Sequence, residues 1–255
     1  MKTNRQKRLH NKDFCEIFGH HAVYAALSNP LRKHQKLFIN RNQRQTLKKD
    51  LLDLVPEINE LHNNEMYKMF GNESTHQGIV LKTSKLAQPS LQDILFNSKN
   101  INSDIIVMLD QITDPNNIGS IMRSCALFNC YSIIVSKDNS PDVTPTMAKA
   151  ASGALEIVNY ISVVNLSRAL IEFKKNNYWI YGFDSNTKKN DQIELSKKCV
   201  IVFGSEGKGL RNLTKKECDE IITIPISNQK KFNIESLNVA NACSIALFKH
   251  FNDNK

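Results

Sequence analysis

The stretch DIIVMLDQITDPNNIGSIMRSCALF, residues 104–128, decides the fold. Its first seven residues are nearly all apolar, with none of the polar alternation of a half-exposed strand, so they predict a strand covered on both faces. A turn sequence, Asp114-Pro115-Asn116-Asn117, follows. Apolar residues then recur at Ile118, Ile121, Met122, Cys125 and Phe128, which is a helical period. A buried strand leading into an amphipathic helix is the first half of a βαβ unit, and repeated units of that kind build parallel sheets. Downstream the alternation continues. YSIIVS (131–136), EIVNYISVV (156–164), YWIYGFD (178–184), CVIVFG (199–204) and IITIPI (221–226) predict strands, the last stopping at Pro225. Between them SRALIEFKKN (167–176) and LTKKECDE (213–220) predict helices, as does TPTMAKAAS (144–152), with Thr144 as N-cap, Pro145 at the first helical position and Gly153 to close it. The last helix, SLNVANACSIALF (236–248), is too uniformly apolar and small for a surface helix and is expected to be buried. The expectation is an α/β domain over 104–255 with a mostly parallel sheet.

Upstream, residues 17–85 form a second, smaller α/β unit. HHAVYAALS (20–28), QRQTLKKDLLDL (43–54) and NELHNNEMYKMF (59–70) predict helices, and KLFIN (36–40) and HQGIVLKTS (76–84) predict strands. His20 and His21 are adjacent, point to different faces, and match no metal spacing; they read as the polar start of a helix. Residues 86–103, with Pro89 and many serines and asparagines, predict a linker with at most one helical turn. Residues 1–16 are a basic tail, suited either to touching RNA or to fraying in solvent.

The chain has 255 residues, 41% of them hydrophobic, enough for sizeable cores in one or two domains. A formal charge of +9 points to a polyanionic partner, nucleic acid first, against the blander alternative of a lysine-rich proteome. The six cysteines are scattered without a CxxC pair or a neighbouring metal-spaced histidine, which fits a reduced cytoplasmic protein without structural zinc. No apolar run approaches the roughly 20 residues of a membrane span.

In parallel sheets ligands bind beyond the carboxyl ends of the strands, and three such loops carry unusual chemistry. The first holds Asn117, placed to cap its helix, and Arg123, whose stem could equally snorkel to the surface. The second, CVIVFGSEGKGLRNL (199–213), has Gly204, Gly207 and Gly209 in a GxxGxG spacing, neither a dinucleotide fingerprint nor a P-loop. Such glycines let main-chain amides approach a ligand, and Glu206 among them has little packing value. The third offers Ser236 and Asn238 at the mouth of the last helix, as a cap or as part of a site. None of the three supplies a nucleophilic His or Cys, so a hydrolytic triad or zinc hydrolysis is poorly supported. Group transfer governed by positioning remains.

These three blocks in this order resemble the motifs of the SpoU (TrmH) family of RNA ribose 2′-O-methyltransferases in the SPOUT superfamily. DPNNIGSIMRSC resembles the first motif, VIVFGSEGKGL the second and IPI…SLNVANACSIALF the third, with TMAKAASGALE as a further matching block. The 17–85 unit, with GHHAVYAAL and HQGIVL, is similar to the substrate-binding domain of the subgroup that methylates a guanosine of 23S rRNA. The resemblance implies a C-terminal trefoil knot, against the usual prior on knots, S-adenosylmethionine as cofactor, no metal, and a homodimer. It implies that Gly204, Ile224 and Leu237, with Gly209 beside them, contact the cofactor, and that Asn117, Arg123, Glu206, Ser236 and Asn238 form the catalytic and ribose-positioning set. The family's arginine is often assigned as a base; a guanidinium holds its proton firmly, so Arg123 is better read as stabilising the developing alkoxide and a nearby phosphate. Two departures stand out: the 226–235 segment is longer than the family's usual loop, and Ala240-Asn241 stand where the motif usually reads Ser-Val, placing a polar Asn241 on a helix expected to be buried. The alternatives are a transfer-RNA ribose methyltransferase and a non-catalytic RNA-binding or ribosome-assembly protein on the same scaffold. A dehydrogenase is disfavoured by the glycine spacing.

Overall fold

A computed structural model describes residues 13–72, 76–184, 193–226 and 236–255. In chain order these form β1 (Phe14–Phe18), α1 (His20–Ser28), β2 (His34–Ile39), α2 (Arg41–Thr46), α3 (Lys49–Leu52), β3 (Ile58–Glu60), α4 (Asn63–Phe70), β4 (Ile79–Ser84), α5 (Leu91–Asn97), β5 (Asp104–Asp110), α6 (Pro115–Leu127), β6 (Ser132–Ser136), α7 (Pro145–Ala151), β7 (Asn159–Val163), α8 (Leu166–Lys175), β8 (Trp179–Phe183), β9 (Lys198–Gly204), α9 (Asn212–Lys216), β10 (Glu220–Ile222) and α10 (Val239–Asp253). They divide into two compact units, Met1–Ala87 with Asp142–Glu156, and Gln88–Pro141 with Ile157–Lys255.

The smaller unit is a four-stranded sheet in the order β1-β4-β2-β3, antiparallel except for the β2–β3 pair. Phe18, Phe38, Met66 and Val80 make one core cluster, with Phe70 set edge-on against Phe18 and Phe38. Two strands here were not legible in the sequence. β1 takes in Phe14, Cys15 and Glu16, residues expected to belong to the tail. β3 takes Asn59 and Glu60 from the front of an expected helix, and the expected helix over 43–54 is two short ones broken at Leu47-Lys48. The histidine pair does begin a helix, α1. Asp142–Glu156, inside the expected 104–255 domain, groups with this unit. Its Glu156 carboxylate accepts from Arg32 at 2.7 and 2.8 Å and from Asn29 at 2.8 Å, a buried pair whose acceptors are all used.

The larger unit is a six-stranded, all-parallel sheet in the order β10-β8-β9-β5-β6-β7. Ile106, Met108, Val200 and Val202 face one side and pack with Leu166, Leu170 and Phe173 of α8. Their neighbours Ile105, Val107, Cys199 and Ile201 alternate to the other side and are equally buried, which is why the strands read as unbroken apolar runs. Helix α6 packs there against α10. The expected linker contains a true helix, α5, opened by a Ser90–Asp93 capping box and anchored by Leu95. Two further corrections apply. The strand at 221–226 ends at Ile222, short of Pro225. α10 is not buried all round: Ile245 and Phe248 are exposed, and so is Asn241, which removes the polar-in-core conflict. From residue 227 on, the longer 226–235 loop lies outside the described residues, and the described residues do not trace the expected knot.

Candidate active site

Each of the three loops contributes one side chain to a single hydrogen-bonded trio, and the hub is Asn238. It is the N-cap of α10: its Oδ1 accepts from the Ala240 N–H at 2.9 Å. Its Nδ2 donates to Asn117 Oδ1 at 2.9 Å and to Glu206 Oε1 at 3.1 Å. Cap and junction are therefore the same residue, with the carbonyl side serving the helix and the amide side joining the other two loops. Asn117 does not cap α6. Asp114 does, its carboxylate accepting from the Asn116 N–H at 3.0 Å with Pro115 at the first helical position, so Asn117 is left free to face its partners from the first turn.

The glycine loop is held by its own backbone. Gly209 donates to the Ser205 carbonyl at 2.9 Å, folding the loop back on β9. That fold brings Gly209 so close to Gly204 that a side chain at 204 would place its Cβ 2.1 Å from the Gly209 carbonyl carbon; only glycine fits. Glu206 stands exposed at the tip and Leu210 anchors the far side in the core. Ile224, half-buried, and Leu237, 37% exposed, lie near this carboxyl end of the sheet, Leu237 directly before Asn238. Main chain bare of side chains at Gly204 and Gly209, together with these partly open apolar residues, is the kind of surface that reads a ligand through backbone and apolar contact.

The structure does not join Arg123 or Ser236 to the trio. Arg123 lies six residues beyond Asn117, which is about 9 Å along α6 and about 120° around it. Its side chain is exposed and takes part in no ion pair among the described residues. Ser236 is exposed two residues before the hub. The face of α6 turned to α10 instead carries Ser124, whose hydroxyl shares a 2.7 Å hydrogen bond with Ser244.

Two ion pairs escaped the sequence. Asp110, at the end of β5 with its side chain fully buried, accepts from Arg211 Nε at 2.6 Å and from the Arg211 backbone N–H at 3.2 Å. Asp184, just past β8, accepts from Lys215 Nζ at 2.9 Å. The available signal was that DIIVMLD and YWIYGFD both close an apolar run with aspartate.

Thiol chemistry is disfavoured on physical grounds. Burial pushes the Cys125, Cys199 and Cys243 thiols well above the ordinary range, and pushes Cys218 up to about 12. They stay protonated, and a protonated thiol is a poor nucleophile. Among the described residues no three His, Cys, Asp or Glu side chains converge as a metal site, and no helix is long and apolar enough to cross a membrane.

Comparison with known proteins bears on the same residues. Residues 104–248 match the SpoU rRNA Methylase family, and residues 17–89 match the family described as RNA 2′-O ribose methyltransferase substrate binding. The chain is 31% identical over 240 residues to the 23S rRNA (guanosine-2′-O-)-methyltransferase RlmB of Escherichia coli K12, covering 91% of this chain and 96% of that one. It is 30% identical over 242 residues to the RlmB of Ralstonia nicotianae, covering 91% and 93%. Its fold is similar to that of the SpoU methyltransferase AviRb from Streptomyces viridochromogenes in complex with AdoMet, with a TM-score of 0.75 and 20% identity over 99% of this chain and 94% of that one.

Proposed function

The chain belongs to the SpoU family of RNA ribose 2′-O-methyltransferases, and from that premise we propose that it methylates a guanosine ribose in 23S rRNA, as a homodimer in the cytoplasm. Its reaction moves a methyl group from S-adenosylmethionine to a ribose 2′-hydroxyl of RNA. The observation that carries the site assignment is the Asn238 hub, which ties all three motifs through one carboxamide. The choice of 23S rRNA rests on the RlmB relatives, which match this chain along nearly its whole length, small unit included.

S-adenosylmethionine supplies an electrophilic methyl group, so the protein's task is alignment and charge control rather than generation of a nucleophile of its own. Gly204, Gly209, Ile224 and Leu237 would hold it through main chain and apolar contact. Asn117, Asn238 and Glu206 would orient the ribose, with the Glu206 carboxylate available to accept from a ribose hydroxyl. Ser236 would add one more hydroxyl at the mouth of α10. Arg123 would stabilise the developing alkoxide and an adjacent phosphate, the task to which a permanently charged, planar donor fork is suited.

The dimer rests on the outer faces of α6 and α10. Leu127 is 66% exposed, Phe248 55% and Ile245 39%, and Phe248 stacks edge-on with Phe128 across the two helices. An apolar set of this kind on paired helices fits burial against a second copy. Arg123 projects from the same α6, so a dimer would bring that arginine to the interface. The trefoil threading remains part of the proposal. Transfer of labelled methyl groups to 23S rRNA transcripts and to transfer RNA tests the assignment. Incorporation into 23S rRNA alone supports it, incorporation into transfer RNA alone supports the alternative substrate, and cofactor binding with no incorporation into any RNA supports a scaffold role.

A further inference from the structure

Across the carboxyl end of the larger sheet, Gly204 is flanked by two aspartates. Asp110 is its register partner on β5, and Asp184 follows Phe183, the partner of Phe203, on β8. Both carboxylates are buried, with side-chain exposures of 0% and 8%. Strand ends packed this tightly have no need of a charge, and a buried carboxylate persists only when it is paired. Both partners come from the segment just after the glycine loop. Arg211 reaches Asp110 through its side chain at 2.6 Å and its backbone at 3.2 Å, and Lys215, four residues on, reaches Asp184 at 2.9 Å. The loop passes close to the second carboxylate: a Cβ added at Gly209 would sit 3.6 Å from both Asp184 oxygens, in ordinary van der Waals contact.

We propose that these two ion pairs clamp the Ser205–Leu210 loop from both sides, and that the arms have different duties. The Arg211–Asp110 arm ties the loop to β5, whose continuation leads through Gln111 to α6 and Asn117. It therefore fixes Glu206 relative to Asn117 and governs turnover. The Lys215–Asp184 arm ties the loop to β8 and β10: Asp184 donates its backbone N–H to the Ile222 carbonyl at 3.1 Å, and its own carbonyl accepts from the Thr223 hydroxyl at 2.7 Å, one residue from Ile224. It therefore sets the glycine turn against the apolar cofactor wall and governs cofactor affinity. All four are positioning residues, acting through the loop. The division of duties rests on the methyltransferase assignment of the same site; the clamp itself does not.

The test uses the full-length enzyme, S-adenosylmethionine binding by calorimetry, methyl transfer at saturating cofactor, and hydrogen exchange of the loop amides. Lys215→Met is expected to weaken cofactor binding by about tenfold or more with turnover nearly unchanged, and Lys215→Arg to restore it. Arg211→Gln is expected to lower turnover by about tenfold or more with cofactor affinity nearly unchanged. Should that variant fail to fold because Asp110 is left unpaired, Asp110→Asn with Arg211→Gln removes both charges and carries the same expectation. Loop exchange rises in each charge-removed variant and stays at the wild-type level in Lys215→Arg. Unchanged loop exchange, or affinity and turnover falling together in proportion to melting temperature, overturns the clamp. A wild-type enzyme inactive on every RNA, yet with a protected loop that loosens in the variants, supports the clamp and overturns only the methyltransferase assignment.

Discussion

Asn238 does two jobs, and Asn238→Ser separates them. Serine caps a helix about as well as asparagine, so the hydrogen bond to the Ala240 N–H has a replacement and α10 should lose only a few tenths of a kcal/mol. Serine is too short to reach both Asn117 and Glu206, 2.9 and 3.1 Å from the present amide nitrogen. One of those bonds is neutral and the other is to a carboxylate, worth about 0.5–1.5 and about 1.5–3 kcal/mol before discounting. Both are solvent-exposed, so a combined loss of roughly 1–3 kcal/mol is expected, or roughly 5- to 150-fold in rate if it falls on the transition state. The assay is single-turnover methyl transfer to RNA alongside thermal unfolding of the same preparation. The expected result is a transfer slowed at a temperature where the variant is still fully folded, with a melting temperature lowered by roughly 2–12 °C, the effect of roughly 1–3 kcal/mol. Transfer within about twofold of wild type, or a rate loss that merely tracks unfolding, would show that Asn238 is a cap and nothing more.

The other predictions are briefer. Arg123→Lys keeps the charge but loses the planar fork, and should largely abolish methylation while leaving calorimetric binding of S-adenosylmethionine intact; near-normal turnover would remove Arg123 from the mechanism. Phe248→Asp should convert a sedimenting dimer to monomer, since it puts a charge at the centre of the exposed α6–α10 face; an unchanged dimer would move the interface elsewhere. Burial pulls the His34 imidazole below its ordinary value. The unfolded chain then takes up the proton first as pH drops, so the His34 contribution is present above about pH 6.5 and is lost as pH falls through the folded value. Unfolding followed from pH 8 to 5 should show a shallower acid loss in His34→Gln than in the wild type; identical slopes would assign the acid loss to other groups.

How much of this was legible beforehand follows from which interactions are local. The β5–α6 unit could be read because its apolar run and its helical period are written within one segment. β1 and β3 could not: FCEIF is short and continues a basic tail, and INE is a strand only because β2 pairs with it. The Asp114 cap lost to Asn117 in the sequence because both are good caps, and only the helix start decides between them. Motif likeness named Asn117, Glu206 and Asn238 together, and the structure joins them by hydrogen bonds, but the likeness did not hold the geometry that makes Asn238 their hub. Asp110 and Asp184 stayed hidden as chemistry because an aspartate ending a strand reads as a turn signal until its cation, 101 and 31 residues away, is placed beside it.

The most direct measurement is a map of ribose 2′-O-methylation in ribosomal and transfer RNA from cells with and without this protein. The account predicts that one guanosine signal in 23S rRNA disappears and returns when the wild-type chain is restored, but not when Arg123→Lys is. An unchanged 23S rRNA map, or a signal lost from transfer RNA instead, would contradict it.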